Sequence, residues 1–243
     1  MPGPSVDAIR VRACAEPVGR GDRRGWPLSR EPRLLRRPKL RRARPRDGGT
    51  SRPGATVLLH ETGSALLADH EDLPYPTRTR NLHYEAELVV AIGTAGRNVP
   101  LSAALAHVYG YAVGNDYTRR DLQAAARDKR HPWEIAKAFD HSAAIGSIHP
   151  TVRIGHPQRA AIWLTVNGVE KQRADIADMI WDVPGVIAEL STLFDLQPGD
   201  LIYTGTPAGV GPVSPGDVVV AGIDGLGTLT NTIAAGHVLE GGG

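Results

Sequence analysis

Glu85 and Glu87 flank a single alanine in His83-Tyr84-Glu85-Ala86-Glu87, and the apolar run Leu88-Val89-Val90-Ala91-Ile92 follows at once. In an extended strand, residues two apart share a face, so the two carboxylates project the same way with His83 behind them. Two carboxylates on one face repel and raise each other's pKa unless a cation lies between them. A hard divalent ion with oxygen ligands meets that need. Asp116, in Asn115-Asp116, ends a second apolar stretch and offers a third oxygen ligand. Three carboxylates leave coordination positions open, which suits catalysis better than a structural site. For Glu-x-Glu alone, a solvated strand face is the alternative.

Three further groups have chemical potential. Asp116-Tyr117-Thr118-Arg119-Arg120-Asp121-Leu122-Gln123 is dense in side chains that bind carboxylates. Arg120 and Gln123 are three apart and share a helix face. An ordinary charged helix start, with Asp121 favoured by the helix dipole, explains the same residues. Lys137 lies in the apolar context of Pro132-Trp133-Glu134-Ile135-Ala136-Lys137-Ala138-Phe139-Asp140, and a buried lysine is costly unless paired or useful. Thr204-Gly205-Thr206-Pro207, with Gly209 and Gly211, has backbone N–H groups to offer an anion. Its glycine spacing fits neither the dinucleotide nor the P-loop pattern.

The elements that must position these groups are short. Residues 84–92 and 109–115 read as strands, the first ending fully buried. Residues 100–108 read as a short helix with Ser102 near its start, and residues 119–129 as a polar helix. Residues 160–166 form a strand entering the turn Asn167-Gly168, the strongest hairpin signal in the chain. Residues 183–194 form an amphipathic helix. The turn Pro198-Gly199-Asp200 leads into a strand over 201–204, and short strands close the chain around 218–221 and 227–229. Many short strands with Gly/Pro turns and few helices imply an α+β, mainly β domain.

Charge is unevenly spread. Residues 1–52 hold 15 of the 28 Lys and Arg but only 5 of the 26 Asp and Glu, an excess of about ten positive charges. The rest of the chain is about −8. Residues 1–52 are expected to be an Arg/Pro-rich, atypical segment, disordered or degenerated, and residues 53–243 the catalytic domain. A basic nucleic-acid arm is the weaker reading, since Trp26 is its one aromatic residue. The single cysteine, Cys14, excludes an intrachain disulfide and a cysteine-based metal site. No apolar run reaches membrane-spanning length, and a soluble cytoplasmic protein without membrane or nucleic-acid partners is expected.

Taken in order, HYEAELVVAIG, GYAVGNDYTRRDLQ, PWEIAKAFD, VNGVEKQ, ADMIWDVPGVIAELS and LQPGDLIYTGTPAGVGP resemble the fumarylacetoacetate hydrolase family over residues 74–233. The resemblance implies a mixed β-roll with a few peripheral helices, a homodimer, and Mg2+ or Mn2+ held by Glu85, Glu87 and Asp116. It implies that Lys137 is the active-site lysine and that Arg120, Gln123 and Thr206 contact the substrate. Within the family, YTRRDLQ, HPWEIAKAFD and ADMIWDVP are most like members that hydrolyse fumarylpyruvate in gentisate breakdown. The alternatives are a 2-oxo diacid isomerase or decarboxylase, and a member that binds metal and 2-oxo acids without turnover.

The chain departs from the family upstream. The resemblance implies a Gly-Arg-Asn-Tyr segment and then a His/Glu pair that activates water. The corresponding residues 14–46 contain no histidine, and the first in the chain is His60. Our hypothesis is that residues 15–50 derive from an altered reading frame or a degenerated segment, because Arg/Pro-rich sequence abuts a well-formed motif series. Sequencing the encoding DNA tests this; an intended frame that also lacks the segment refutes it.

Overall fold

The computed structural model describes residues 63–236, together with the backbone of three short strands, Ala8–Ala13, Leu34–Arg36 and Val57–His60. The remainder of the basic segment lies outside the described residues. So does most of the stretch where the His/Glu pair was expected.

A nine-stranded mixed sheet forms the frame. At its centre Ala86–Ile92 pairs antiparallel with Val108–Asp116 on one side and with Asp200–Tyr203 on the other. Ala8–Ala13 extends the sheet beyond Asp200–Tyr203. Ala143–Ile145 pairs with Val108–Asp116, and Leu66–Ala68 runs parallel to it. All seven residues of Ala86–Ile92 are buried. Ala86, Leu88, Val90 and Ile92 face the main core, whereas Val89 and Ala91 join a smaller apolar layer with Ala112, Ala143, Ile145, Leu201 and Tyr203. Each fully buried Val, Leu or Ile contributes roughly 1.5–3 kcal/mol. Four such side chains in one strand therefore offset the several kcal/mol that each buried ion costs. Gly114 stands opposite Glu87. A Cβ there would come within 2.5 Å of Val89 Cγ2 and 2.7 Å of Tyr203 Cε1, so the close approach requires glycine.

A five-stranded sheet packs beside this frame. Its hairpin joins Ala161–Val166 to Val169–Asp175 through Asn167 and Gly168, whose φ values of 51° and 76° suit a type I′ turn. The register shifts between Leu164 and Thr165, leaving Lys171 as an extra residue on the second strand. A third sheet of three two-residue strands, Leu82–His83, Thr118–Arg119 and Pro212–Val213, ties three loops together beside the triad.

Helices are peripheral. Val183–Leu193 is capped by Asp182, whose Oδ1 accepts from Gly185 N at 3.0 Å. Its Ser191 Oγ accepts from Val99 N at 2.8 Å, anchoring the turn that leads into Leu101–His107. That segment is a 3₁₀ helix, tighter than the helix expected over 100–108. Arg120–Asp128 and the single turn Glu134–Lys137 lie next to the central strands' ends. No described helix is long and apolar enough to cross a membrane.

The mixed, mainly β architecture agrees with expectation. Two local differences have physical causes. The central strand begins at Ala86 rather than at residue 84, because Glu85 N donates to the Asn115 side chain at 2.8 Å instead of to a ladder carbonyl. Ala143–Ile145 and the two-residue strands were not anticipated, since two or three residues are too few to show a period.

Candidate metal centre and substrate loop

Strand pairing assembles the acids. Asp116 N donates to Glu85 O at 2.8 Å, so the two residues stand opposite each other across neighbouring strands. Glu87 follows two positions on, and Ala86 turns its side chain into the main core. The result is a triad of Glu85, Glu87 and Asp116, all buried, with carboxylate oxygens within 4.8 Å of one another. His83, expected behind the two glutamates, lies instead beside Arg120. His83 Nε2 donates to Asn81 Oδ1 at 2.9 Å and its Nδ1 accepts from Arg120 Nε at 3.3 Å.

Two cations reach the triad. Lys137 Nζ lies 2.9 Å from Glu85 Oε2 and 2.7 Å from Asp116 Oδ2, on a side chain only 3% exposed. The helical turn Glu134–Lys137 delivers it, with Trp133 and Ala136 buried on either side of the exposed Glu134 and Ile135. Arg119 braces that turn: its guanidinium lies 4.4 Å from the Phe139 ring centroid and donates to Ile135 O at 3.2 Å. Arg120 bonds Glu85 Oε1 through one nitrogen and Gln123 Oε1 at 2.5 Å through another. The expected helix-face pair therefore forms, with Gln123 reaching the triad through Arg120.

The electrostatics are asymmetric. Burial alone would raise the pKa of Glu85, but Lys137 and Arg120 together outweigh it and hold the carboxyl far below its ordinary range. Burial pushes Glu87 well above that range, and the charges of Asp116 and Glu85 add to the effect. Lys137 and the Gly205 N–H, 2.7 Å from Glu87 Oε2, oppose it only in part. Among the described residues Glu87 makes no ion pair. Three buried carboxylates thus face two cations, and the deficit falls beside Glu87. A divalent cation fits this all-oxygen set on charge and donor type.

The loop after Asp200–Tyr203 forms the other wall. Thr204 Oγ1 donates to Leu88 O at 2.9 Å, and Gly205 N reaches Glu87. Thr206 is buried, and its Oγ1 accepts from Gln172 Nε2 at 2.9 Å. Tyr84 OH donates to Gly209 O at 3.1 Å. Gly209 has φ +103°, and a Cβ there would sit 2.2 Å from Lys171 O, the carbonyl of the extra residue in the hairpin. The loop is therefore seated on a β-bulge, a device that re-aims chains next to functional sites.

The structure gathers Glu85, Glu87, Asp116, Lys137, Arg120, Gln123 and Thr206 into one locale. Sequence reasoning passed over Gln172 and Asn115. Gln172 is the one buried residue of its strand, and the motif VNGVEKQ contains it without marking it. Neither His83 nor His141 presents an unengaged ring nitrogen within the buried triad. Both nitrogens of His83 are engaged, and His141 is exposed.

Comparison with known proteins places the chain among relatives of one family. Residues 39–234 match the family described as fumarylacetoacetate (FAA) hydrolase C-terminal. A fumarylpyruvate hydrolase from Ralstonia is 47% identical over 168 residues, 69% of this chain and 87% of that one. The human mitochondrial oxaloacetate tautomerase FAHD1 is 40% identical over 174 residues, 72% of this chain and 79% of that one. The crystal structure of fumarylpyruvate hydrolase from Pseudomonas aeruginosa in complex with Mn2+ and pyruvate superposes with a TM-score of 0.73 at 47% identity, covering 75% of this chain and 80% of that chain.

Proposed function

The chain belongs to the fumarylacetoacetate hydrolase family, and on that premise we propose that it is a divalent-metal-dependent hydrolase of acylpyruvates, with fumarylpyruvate, cleaved to fumarate and pyruvate, as its best substrate. The observation that carries this reading is Lys137 held within 2.9 Å of Glu85 and 2.7 Å of Asp116 inside a buried acidic triad. It sets a fixed cation beside an oxygen-donor site, which is what a 2-oxo acid passing through an enolate requires. Glu85, Glu87 and Asp116 would hold Mg2+ or Mn2+, which when bound supplies Lewis-acid polarisation of keto and carboxylate oxygens.

The chain's own residues divide the remaining work. Arg120, with Gln123 fixing its guanidinium, presents N–H donors to a substrate carboxylate. Thr206 offers a hydroxyl from the opposite wall. In the reaction, water adds to the carbonyl distal to the 2-oxo acid, and the C–C bond breaks. The electron pair passes to the pyruvate fragment as an enolate, which then takes a proton. Lys137 faces the charge that develops there, and preorganised charge of this kind is the larger catalytic contribution in a dry site. A homodimer in the cytoplasm completes the reading, and sedimentation velocity tests its stoichiometry.

A second reading, oxaloacetate tautomerisation or decarboxylation, is favoured by one observation. The described groups would stabilise an enolate, while both ring nitrogens of His83 are engaged and His141 is exposed. Chemistry without an attacking water needs no base to activate it. One experiment separates the two. The full chain with Mg2+ is given fumarylpyruvate, and loss of enol absorbance and formation of pyruvate are followed, with oxaloacetate in parallel. Pyruvate release from fumarylpyruvate that vanishes in Glu85→Ala supports the hydrolase. Turnover of oxaloacetate without cleavage of fumarylpyruvate overturns it in favour of the second reading.

A further inference from the structure

Gln172 joins the two walls of the site. Its Oε1 accepts from Ala86 N at 3.0 Å, and that amide lies between the two glutamates of the triad. Its Nε2 donates to Thr206 Oγ1 at 2.9 Å and to Pro207 O at 2.8 Å. The residue is 1% exposed. Its amide orientation is not arbitrary. A backbone N–H demands the oxygen at one end, and a backbone carbonyl demands the nitrogen at the other. Turning the amide over would set N–H against N–H and oxygen against oxygen.

That orientation has a consequence for Thr206. A hydroxyl has one hydrogen to give and lone pairs to accept with. Since Thr206 Oγ1 already accepts from an amide that cannot turn, its own hydrogen is left to be donated elsewhere. We propose that Gln172 is a positioning residue that fixes the Thr206 hydroxyl as a donor toward an anionic oxygen of the substrate, and so favours 2-oxo acid carboxylates over neutral carbonyl compounds. The inference rests on the functional reading above, which places Thr206 against the substrate. The β-bulge serves the same end. Gln172 pairs with Leu164 while Thr165 pairs with Glu170, and the carbonyl of the intervening Lys171 packs on Gly209 of the same loop. One irregularity thus aims Gln172 inward and seats the loop that Gln172 holds.

Gln172→Met keeps the volume of the side chain and removes its amide. With no amide to accept from, the Thr206 hydroxyl is no longer held as a donor toward the substrate. Pyruvate binding to the Mg2+-loaded full chain is measured by calorimetry for wild type, Gln172→Met, Thr206→Val and the double variant. Mg2+ binding without pyruvate is measured alongside. A hydrogen bond to a charged acceptor is strong enough that its loss weakens pyruvate binding by roughly ten- to a hundredfold. The expected result is a loss of that order in each single variant, no further loss in the double variant, and Mg2+ affinity close to wild type throughout. Additive losses, or Mg2+ binding that weakens as much as pyruvate binding, would show that Gln172 is scaffold only and overturn the proposal. Gln172→Asn, which keeps an amide but withdraws it from Thr206 by one methylene, runs through the same cycle should the methionine variant fail to fold. Wild-type protein with Mg2+ that does not bind pyruvate overturns the functional reading, and this inference with it.

Discussion

The site has a charged wall and a neutral one, and they are held by different physics. On the charged wall, Glu85, Asp116, Lys137 and Arg120 lie buried or partly buried at ion-pair distances, with Glu87 buried beside them as the third acid of the triad. On the neutral wall, Thr204, Thr206 and Gly209 are fixed by hydrogen bonds to Leu88 O, Gln172 and Tyr84. Breaking one partner of a buried ion pair costs about 3–5 kcal/mol, because the other charge is left uncompensated. Losing a neutral hydrogen bond costs about 0.5–1.5 kcal/mol. On the proposed reading, the charged wall therefore decides whether metal binding and turnover occur at all, and the neutral wall tunes which substrate is held and how.

Lys137→Met strikes the charged wall hardest. It leaves Glu85 with Arg120 alone and removes the cation that bridges Glu85 to Asp116. Turnover should fall about a hundred- to a thousandfold, the scale seen when a preorganised charge-stabilising group is removed. The metal-free variant should also unfold at lower urea, and Mg2+ should raise its stability more than it raises that of wild type, since the ion then supplies the missing charge. Equal Mg2+ stabilisation of the two proteins would count against the charge deficit.

Glu87→Gln tests the same wall through pH. The folded-state pKa of Glu87 lies well above its ordinary value of 4.5. Its ionisation is therefore penalised on folding, and metal-free wild type loses stability as pH rises from 4.5 toward that raised pKa. Glu85 has the opposite sign: its carboxyl is depressed, so its contribution is present above 4.5 and is lost as pH falls below. In EDTA, Glu87→Gln should be more stable than wild type at about pH 8 and similar at about pH 4. Saturating Mg2+ should reverse the ranking at the higher pH. Urea midpoints at the two pH values check both statements.

The two walls were not equally legible in the sequence. Glu85, Glu87 and Asp116 stand out because a charge beside a fully apolar strand demands a reason, and period-two alternation already places Glu85 and Glu87 on one face. Lys137 stands out for the same cause within an apolar segment. Gln172 does not. It follows Glu170 and Lys171 on a strand whose other residues are exposed or half-exposed, so its polarity looks like solvation. Only the β-bulge, a register event that leaves no compositional trace, turns it inward. The asparagine at 115 is hidden similarly, because its work is to take the Glu85 N–H that the ladder leaves over. Main-chain architecture was readable from turns and apolar runs. The two-residue strands that gather the loops were not, since their pairing is set by distant chain segments.

Gly209→Ala tests the neutral wall at its seat. An alanine at φ +103° is strained, and its Cβ would lie 2.2 Å from the Lys171 carbonyl. Strain of this kind costs of order 1–3 kcal/mol, and the backbone clash must be relieved by moving the loop off the bulge. KM for the 2-oxo acid should rise more than kcat falls, while Mg2+ affinity changes little. A variant that instead loses Mg2+ would show that the two walls are coupled through the Gly205 contact to Glu87.

The mildest probe is Tyr84→Phe. Tyr84 OH donates to Gly209 O at 3.1 Å, while the ring remains buried in the main core. Removing the hydroxyl therefore leaves packing intact and frees one partly solvated loop carbonyl, at a cost of about 1 kcal/mol or less. KM should shift by no more than severalfold, with kcat and the pH dependence of metal-free stability unchanged. Glu85 follows Tyr84 directly in the chain, so a loss comparable to that of Lys137→Met would mean that the loop and the triad move as one body. In that case the division between a charged wall that commits the reaction and a neutral wall that adjusts it would fail at its hinge.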